Sequence, residues 1–433
     1  MKIWDTYSEA FNKLNSRQHQ PSGALNSIYS FDESITTTQK SESSTPPSDE
    51  IYQIQRSIRP LFGKPGFREP AFGDHPDFQY LRGTTQQEYG SVTTMFMDIE
   101  GSTRLGVLYS PQEVFLIKNS LIRCAIETIQ AFDGHVHRIM GDAVMAYFRD
   151  SERYSEDSAI DAINCATVLI GFVKESVLPQ LKKNDINHDL GIRIGIDYGT
   201  ETSVLWASYG YPGMEEVTAT SFHVDAAAKL QQSASRNSIM LGAGLRDFLD
   251  LPNEIQQVKQ VEKDGESIPR PYIRPNYTAP NGNPINYRQF ELKQQSYLGL
   301  LPLRQQGASP TEMKLLATVH NNREEQGVPI FSCSRSIAKN KSIRFDISVP
   351  FAPQLPAKVY FRVINTGQDA LTHAGEGRGN HQNSLDLKRR DDGTYGTTHW
   401  EDTLYRGLHF LYIEIRNATN HLISKNCFSV YIK

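Results

Sequence analysis

The chain contains few cysteines, and none of them lies in a Cys-x-x-Cys pair. The four cysteines are Cys124, Cys165, Cys333 and Cys427. Zinc centres and disulfide frameworks depend on closely patterned cysteines, so neither is expected here. We predict that these residues are buried, reduced thiols.

The sequence also lacks a membrane segment, a signal peptide and an excess of positive charge. No apolar run reaches the ~18 residues that indicate a transmembrane helix, and the start, "MKIWDTYSEAFNKLN", is too polar for a signal peptide. There are 45 basic and 49 acidic residues, for a net charge of −4, which argues against a general nucleic-acid binder. We expect a soluble cytoplasmic protein that binds neither nucleic acid nor a membrane.

Residues 1–50 are interpreted as an amphipathic helix followed by a flexible linker. The apolar residues at helical spacing are Trp4, Tyr7, Phe11 and Leu14. Such a helix can dock on a partner chain or pack against its own domain, and the sequence leaves both open. The stretch "SITTTQKSESSTPPSDE" at 34–50 is polar and rich in Ser, Thr and Pro, which is typical of a linker.

Segments that predict strands and helices alternate from about residue 90 to residue 250. "SVTTMFMDI", "DLGIRIGIDYG" and "TSVLWASYG" have strand character, and "GHVHRIM" and "AVMAYF" form a hairpin around a Gly-Asp turn. Helices are predicted for "SPQEVFLIKNSLIRCAIETIQAF", in which Ser110 and Glu113 form a capping box, for "SEDSAIDAINCATVLIGFVKESVL" and for "SFHVDAAAKLQQSA". This mixture predicts an α+β fold in which helices cover a sheet.

The pattern changes to strands alone from about residue 310. "SIRFDISV", "KVYFRVI", "HFLYIEIR" and "CFSVYIK" have strand character, and "NTGQD" and "RRDDGTYG" supply turns. This pattern predicts an all-β sandwich of roughly 110 residues. Residues 251–300 offer one candidate strand, "INYRQFEL".

Two acidic residues stand at strand ends in the α+β part. Asp98 closes a strand in "MFMDIEGSTRL", and Asp142 lies in the Gly-Asp turn of "RIMGDAVMAYF". If their strands are neighbours, the two carboxylates can hold a hard cation such as Mg²⁺ or Mn²⁺. The turn "IEGST" at 99–103 offers backbone N–H groups to phosphate, which suggests phosphoryl or nucleotidyl transfer. Taken alone, each acid also fits an ordinary turn or cap.

In motif order and spacing, "FMDIEGSTRL", "RIMGDAVMAYF" and "IRIGIDYG" resemble the catalytic domain of class III nucleotidyl cyclases over about residues 90–250. The resemblance implies a class III cyclase-type sheet with covering helices within residues 51–300, followed by a sensor-like β-rich domain at 310–433. It also implies two divalent metal ions, Mn²⁺ or Mg²⁺, in each active site.

The resemblance assigns roles to particular residues. The implied metal ligands are Asp98, Asp142 and the backbone carbonyl of Ile99. The implied phosphate contacts are Gly101, Ser102 and Thr103 in the turn, and Arg193 in "IRIGI". An arginine on the sheet face with a local ion pair is the alternative for Arg193.

The same resemblance implies a head-to-tail homodimer in which each site takes residues from both chains. Asp98 and Asp142 would come from one chain and Lys229 from the other. The family places an Asn and an Arg on the third helix, where this chain has Asp225 and Lys229. Lys229 is expected to neutralise charge on the α-phosphate, whereas Asp225 cannot donate a hydrogen bond as Asn does. The alternative is a helix ion pair between the two residues.

Arg138 and Thr218 occupy the positions at which adenylyl cyclases read the purine. Arg138 only donates hydrogen bonds, so it favours the acceptor oxygens of uracil over the amino groups of cytosine and adenine. It could instead grip O2, which both pyrimidines share, or pair with a surface acid; Thr218 excludes no base. The nearby His135 and His137 share a strand face and are interpreted as ordinary strand residues.

The whole chain resembles the bacterial pyrimidine cyclases of Pycsar anti-phage defence, with "KVYFRVINTG" and "GLHFLYIEIRN" carrying the likeness in the C-terminal part. The resemblance implies a pyrimidine nucleotide cyclase and a separate effector that responds to the product. Because Arg138 favours uracil, the leading expectation is a uridylate cyclase that converts UTP to 3′,5′-cyclic UMP and pyrophosphate. A cytidylate cyclase that makes cyclic CMP from CTP is the first alternative. A purine cyclase and a dimeric nucleotide sensor without turnover follow.

Overall fold

A computed structural model of the chain describes residues 3–16, 52–183, 190–305, 313–350, 353 and 355–433. The predicted linker at 34–50 lies outside the described residues. The division of the chain at residues 50 and 300–310 stays a prediction, and the elements are given below as the structure has them.

Helices and strands alternate in the first part of the chain. The helices are α1 (Ile3–Ser16), α2 (Gln53–Ile58), α3 (Ser102–Leu108), α4 (Pro111–Ala131), α5 (Ser155–Phe172), α6 (Leu178–Lys183), α7 (Phe222–Ser233), α8 (Ala243–Phe248) and α9 (Gln294–Leu298). The strands are β1 (Gln87–Tyr89), β2 (Val92–Glu100), β3 (His135–Met140), β4 (Ala143–Phe148), β5 (Gly191–Gly199), β6 (Leu205–Tyr211), β7 (Met214–Thr220), β8 (Ser238–Gly242), β9 (Gln256–Val258), β10 (Gln260–Lys263), β11 (Glu266–Pro269) and β12 (Gln289–Leu292). The predicted strand "INYRQFEL" is found as β12.

A seven-stranded sheet forms the centre of this part, with the strand order β3-β4-β2-β5-β8-β12-β9. All neighbours are antiparallel except β5 and β8, which are parallel. The sheet and its helices confirm the predicted α+β class. The Ser110–Glu113 capping box is present at the start of α4.

The two faces of the sheet have different covers. Alternate residues of β2, among them Met95 and Met97, join one core with α4 and α5. On the opposite face, α7 lies directly on β5 at Gly195, where an added Cβ atom would come within 2.3 Å of the backbone of α7. Gly195 pairs with Phe96, and Arg193 pairs with Asp98. Paired residues share a face, so Asp98 lies on the α7 side of the sheet.

A small three-stranded sheet, β1-β6-β7, lies beside the central sheet. Trp206 on β6 is fully buried. Its ring stacks on Phe78 at 4.2 Å and meets Tyr147 of β4 edge to face at 5.0 Å. This aromatic cluster holds the β6–β7 hairpin against the β3–β4 hairpin.

The C-terminal part is a β-sandwich, as predicted. Its strands are β13 (Lys314–His320), β14 (Val328–Ile330), β15 (Ser336–Ile337), β16 (Ser342–Val349), β17 (Ala357–Ile364), β18 (His381–Asp386), β19 (Lys388–Arg389), β20 (Tyr395–Asp402), β21 (Gly407–Asn417) and β22 (Leu422–Ile432). They form two five-stranded sheets, β14-β13-β16-β20-β19 and β15-β22-β21-β17-β18, around a common core.

The expectation of strands alone in this part was wrong in one place. The predicted turn "NTGQD" leads into α10 (Gly367–Ala374). This helix is eight residues long and buries only Ala370, so it is shorter than the window of roughly 11–18 residues over which helical periodicity is recognised.

The N-terminal helix α1 packs against its own domain. Its Tyr7 hydroxyl lies 2.5 Å from Thr128 Oγ1 of α4, and the Tyr7 ring stacks on Phe172 of α5 at 4.6 Å. Ser176 donates a hydrogen bond to the carbonyl of Trp4 at 2.9 Å. Of the two placements that the sequence left open, the structure has the intramolecular one.

One continuous helical segment, Ser155–Lys183, is long and apolar enough to cross a membrane by length and composition. It includes α5, a π-helical turn at Val173–Val177 and α6. Since 78% of its most apolar window is buried inside the protein, the apolar residues are accounted for by the core. All four cysteines are free; three are buried and Cys427 is half-buried.

The same helix α5 joins the central sheet to the C-terminal sandwich. Asp157 Oδ1 accepts hydrogen bonds from Ser336 N at 2.7 Å and from Ser336 Oγ at 2.8 Å. Asn164 Nδ2 donates to the carbonyl of Cys333 at 2.9 Å, and Tyr297 OH donates to Asn164 Oδ1 at 2.9 Å. Because these groups are buried, breaking the contact would leave polar atoms unpaired.

A buried charge cluster fixes α2 and the loop after it against α4 and α5. Its cations are Arg59, Lys64, Arg68 and Arg153, and its acids are Asp133 and Asp161. Burial alone would raise the pKa of Asp133, but Lys64, Arg68 and Arg59 together hold this pKa well below its usual range. The more deeply buried Asp161 has a raised pKa, because burial outweighs Lys64 and Arg153 there. The cations therefore stabilise the charged form of Asp133 in the folded protein.

We expect Asp133→Asn to lower the free energy of unfolding by about 3 kcal/mol at pH 7, since buried cations lose their counter-charge. The folded-state pKa of Asp133 is lowered, so its contribution is fully present above the unfolded-state pKa of about 4 and is lost as the pH falls through the folded-state value. Urea unfolding from pH 7 to pH 3 measures this. Asp150→Asn is the control, because within the described residues Asp150 has one ion pair, at 3.5 Å to the half-exposed Arg68, and asparagine keeps the Oδ1 atom that accepts from Glu152 N. Equal stability losses for the two variants would contradict the assignment.

Candidate active site

The central sheet brings Asp98 and Asp142 together at one end of β2. Asp98 is paired with Ala143 of β4, the residue after Asp142. The Ile99 N–H donates a hydrogen bond to the Asp142 carbonyl at 3.2 Å. Gly141 has a φ of 67° in the hairpin turn, a conformation that suits glycine. The two acids that the sequence singled out therefore lie side by side.

Each carboxylate has a cationic neighbour. Arg193 of β5 forms an ion pair with Asp98 Oδ2, and Lys118 Nζ of α4 lies 3.5 Å from Asp142 Oδ2. Ser102 Oγ also donates a hydrogen bond to Asp142 Oδ2. The carboxylates stay accessible, with 18% of the Asp98 side chain and 28% of the Asp142 side chain exposed.

The donor set fits a hard divalent cation. The described residues contain no group of three or more His, Cys, Asp or Glu side chains placed to hold a metal. The site instead offers two carboxylates beside the backbone of Ile99. Oxygen ligands with room for water and phosphate suit Mg²⁺ or Mn²⁺ rather than zinc.

Arg193 also carries an unsatisfied hydrogen-bond donor at the site. The Nε atom of Arg193 is buried and has no hydrogen-bond partner among the described residues. A buried N–H without a partner is costly, and a phosphate oxygen would satisfy it. Arg193 also has the local ion pair, with Asp98, that the sequence analysis gave as its alternative role. An ion pair with Asp98 and a contact with phosphate are compatible.

The turn "IEGST" leads from β2 into the short helix α3. Gly101 has a φ of 85°, Ser102 is buried, and Thr103 is exposed. The Ser102 hydroxyl contacts Asp142 and so orients a candidate metal ligand. The phosphate contacts of Gly101, Ser102 and Thr103 stay a prediction.

Arg138 lies on β3 and Thr218 on β7. Glu216, which is also on β7, forms an ion pair with Arg138. Arg138 Nε donates to Glu216 Oε2 at 2.8 Å, and Arg138 Nη2 forms an ion pair with Glu216 Oε1. Thr218 Oγ1 lies 3.1 Å from the Tyr147 hydroxyl. The ion pair with a nearby acid was one of the readings of Arg138, and the structure has it.

The two histidines near Arg138 lie in the sheet edge. His135 Nε2 and His137 Nδ1 are each 2.9 Å from the Gly73 carbonyl. The pairing of β3 with β4 has a bulge between Val136 and Arg138. A bulge adds an unpaired residue and re-aims the next side chain, so Arg138 points toward β7.

Asp225 and Lys229 lie on α7 without the predicted alternative ion pair. Asp225 is exposed and Lys229 is half-buried. In the described part of the chain, neither makes a recorded hydrogen bond or ion pair with the other or with Asp98 or Asp142. A single chain thus leaves Lys229 apart from the two acids.

The start of α7 is fixed by a buried acid. Asp197 accepts hydrogen bonds from Tyr287 OH at 2.6 Å and from Leu245 N at 3.1 Å, and it lies 3.1 Å from His223 Nδ1. Burial and the Asp197 charge raise the pKa of Tyr287, so Tyr287 stays a protonated donor. This cluster holds the helix that carries Asp225 and Lys229.

Sequence reasoning missed Lys118 and Glu216. Lys118 flanks the apolar stripe of α4, and a charged residue there is indistinguishable from any solvated helix position. Glu216 lies two residues before Thr218 on β7, and side chains two residues apart in a strand point to the same face. The sequence could therefore have predicted that Glu216 lies beside Thr218.

Two family models match the chain. Residues 84–272 match the adenylate and guanylate cyclase catalytic domain. Residues 290–433 match the adenylyl/guanylyl and SMODS C-terminal sensor domain.

Relatives named cytidylate cyclase match most of the chain. One from Escherichia coli is 42% identical over 399 residues, which cover 88% of this chain and 83% of the relative. A second from Escherichia coli is 37% identical over 90% of each chain. A third, from Staphylococcus aureus, is 30% identical over 87% of each chain.

Solved structures match the cyclase part. The adenylyl cyclase CyaB from P. aeruginosa aligns with a TM-score of 0.39 and 16% identity, over 48% of this chain and 95% of that chain. The guanylyl cyclase Cya2 aligns with a TM-score of 0.36 and 16% identity, over 48% of this chain and 92% of that chain.

We expect Lys229→Met to change the free energy of unfolding by less than about 0.5 kcal/mol, because Lys229 has no ion pair with any residue that the structure describes. Lys64→Met is the matched control. Its ammonium lies 2.7 Å from Asp133 and 2.8 Å from Asp161 in the buried cluster, so its loss is expected to cost about 3–5 kcal/mol. Urea unfolding of both variants measures the difference. A loss above about 1 kcal/mol for Lys229→Met would point to a structural role.

Proposed function

Because this chain belongs to the class III nucleotidyl cyclases, we propose that it is a cytidylate cyclase, which converts CTP to 3′,5′-cyclic CMP and pyrophosphate. The observation that carries cyclase chemistry is the convergence of Asp98 and Asp142 beside Ile99, with Arg193 on Asp98. The choice of CTP is supported by the relatives named cytidylate cyclase, of which the first is 42% identical.

Class III cyclases generally depend on a divalent metal. We propose that Asp98, Asp142 and the Ile99 carbonyl hold two Mn²⁺ or Mg²⁺ ions. When bound, such ions favour deprotonation of the ribose 3′-hydroxyl and neutralise the triphosphate. Ser102 orients Asp142 through its hydrogen bond, and Lys118 lies beside the same carboxylate.

The chain's own cations stabilise the charge that develops during the reaction. The 3′-oxygen attacks the α-phosphorus in line, the bond from that phosphorus to the bridging oxygen breaks, and pyrophosphate leaves. Arg193 has an unpaired buried N–H for a phosphate oxygen. Lys229, from a second chain, neutralises the α-phosphate, and Asp225 lies one turn before it on α7.

We propose a head-to-tail homodimer, because the single chain leaves Lys229 apart from Asp98 and Asp142. Large apolar side chains are exposed on elements beside the site. They are Tyr209, Tyr211 and Met214 on the β6–β7 hairpin, and Val107, Leu108 and Phe115 on α3 and α4. A second copy of the chain would remove this apolar surface from water.

UTP is the second candidate substrate. Arg138 as a donor favours the two acceptor oxygens of uracil, which is the basis of the prediction from the sequence. CTP ranks first because full-length relatives are named for it and because Glu216 adds an acceptor beside Arg138. The Thr218 hydroxyl can accept or donate, so it suits either base.

The biological role follows the resemblance to Pycsar systems. We propose that the enzyme acts in the cytoplasm as part of an anti-phage defence, with the cyclic pyrimidine nucleotide as second messenger. A separate effector would respond to the product. The C-terminal sensor domain would receive the activating cue.

The first test incubates purified protein with Mn²⁺ and each of ATP, GTP, UTP and CTP, with products identified by mass. We expect cyclic CMP to dominate, and Asp98→Ala to abolish it while keeping the melting temperature. Asp386→Ala is the control, because its carboxylate is 66% exposed in the C-terminal domain. Dominant cyclic UMP would select the second candidate. Unchanged turnover in Asp98→Ala would refute the metal assignment, and no product from any nucleotide would support a silent sensor.

Mixing two inactive variants tests the shared site. We expect Asp98→Ala and Lys229→Met to be nearly inactive alone. In an equal mixture of exchanging chains, half of the dimers are mixed and each has one intact site, so about a quarter of wild-type activity should return. Asp98→Ala mixed with Asp142→Ala is the control, because both defects fall in the same half-site. Recovery in the control as well, or in neither mixture, would contradict the head-to-tail arrangement.

A further inference from the structure

We propose that Glu216 selects cytosine by accepting a hydrogen bond from its 4-amino group, while Arg138 donates to N3 and O2 of the base. The proposal rests on the proposed function, in which this part of the chain reads a pyrimidine nucleotide. Glu216 thereby becomes a specificity-determining residue.

The fold places Glu216 and Arg138 at the same point. Glu216 and Thr218 are on one face of β7, and Val217 between them faces the aromatic core. The bulge in β3 turns Arg138 toward this face. The aromatic cluster around Trp206 keeps the two hairpins in contact, so the pair is held by packing as well as by charge.

The ion pair leaves hydrogen-bonding capacity on both partners. Glu216 engages Nε and Nη2 on one edge of the guanidinium, and further N–H groups of Arg138 remain. A carboxylate likewise has more lone pairs than this edge uses. The side chains are 38% and 36% exposed. A ligand can therefore meet donors and an acceptor side by side.

His137 makes the neighbourhood of Glu216 richer in acceptors. Its Nδ1 is 2.9 Å from the Gly73 carbonyl, so Nδ1 carries the proton because a carbonyl only accepts. Burial lowers the pKa of His137, which keeps the ring neutral. Its buried Nε2 thus presents a lone pair, lies 4.0 Å from Glu216 Oε2, and has no hydrogen-bond partner among the described residues.

The two pyrimidines present different edges to this arrangement. Cytosine has an amino donor at C4 followed by the acceptors N3 and O2, whereas uracil has an acceptor oxygen at C4 and an N–H donor at N3. A carboxylate beside an arginine matches the order of cytosine. With uracil, O4 would meet the partly exposed carboxylate of Glu216, so an acceptor would face an acceptor. The pair therefore both favours cytosine and rejects uracil.

Neighbouring groups do not discriminate between the bases. The hydroxyl of Thr218 rotates and can donate or accept, and the Tyr147 hydroxyl beside it is buried in the aromatic core. Adenine also has an amino group next to a ring acceptor, but on an edge farther from the ribose and without an O2 equivalent. ATP therefore belongs in the test as a third substrate.

The test measures kcat/KM for CTP, UTP and ATP with Mn²⁺ in the wild type and in Glu216→Gln. Glutamine keeps the size, but its amide can rotate to donate to O4 of uracil. We expect the preference for CTP over UTP to fall about ten- to a hundredfold, which is the effect of losing one charged hydrogen bond. Glu215→Gln is the matched control, because the alternation of β7 places Glu215 on the opposite face from Glu216.

A second variant, Glu216→Asp, keeps the proposal testable if Glu216→Gln does not fold. Glu216→Asp keeps the charge but withdraws the carboxylate, so CTP turnover should fall without a gain for UTP. An unchanged CTP-to-UTP ratio in both folded variants would overturn the proposal for Glu216. A wild type that makes no pyrimidine product would instead refute the proposed function, so the two failures are distinguishable. A ratio that shifts equally in Glu215→Gln would also overturn it.

Discussion

The pairing of β2 between β4 and β5 is the constraint on which the candidate site depends. It sets Asp98 opposite Ala143 on one side and Arg193 on the other. The hydrogen bond from Ile99 N to the Asp142 carbonyl closes the hairpin turn onto β2. A register slip of one residue would move Asp98 to the face of α4 and α5. The hydrophobic alternation of β2 therefore specifies the chemistry as well as the core.

The two faces of the central sheet have different roles: one packs in the hydrophobic core, and the other carries the candidate site. One face is closed by α4 and α5, and the other carries Asp98, Arg193 and α7. Gly195 lets α7 approach β5 closely, and Asp197 fixes the start of α7 through Tyr287 and His223. The helix is thus rigidly placed, although Lys229 contacts neither acid in its own chain. In the proposed head-to-tail homodimer, the acids that Lys229 faces would come from the second chain.

The sequence predicted the local parts of the site and missed those that depend on tertiary neighbours. Asp98 and Asp142 were found because a strand end and a Gly-Asp turn are local patterns. Arg193, Arg138, Thr218 and Lys229 came only through resemblance to a family. The Arg138–Glu216 pair depends on a bulge in β3 and on the packing of two hairpins, which no periodicity reveals. The same limit explains α10, whose eight residues are too short for a periodic signal.

Helix α5 determines how the C-terminal sandwich can influence the catalytic sheet. One side of α5 packs on β2, the strand that ends in Asp98. Its Asp157 and Asn164 bind the backbone at Ser336 and Cys333 in the sandwich. These hydrogen bonds are buried, so separating α5 from the sandwich would leave buried polar groups without partners. A rearrangement of the sandwich that keeps these bonds must move α5 with it. Since close-packed cores shift as units, that motion reaches β2 and the carboxylate at its end.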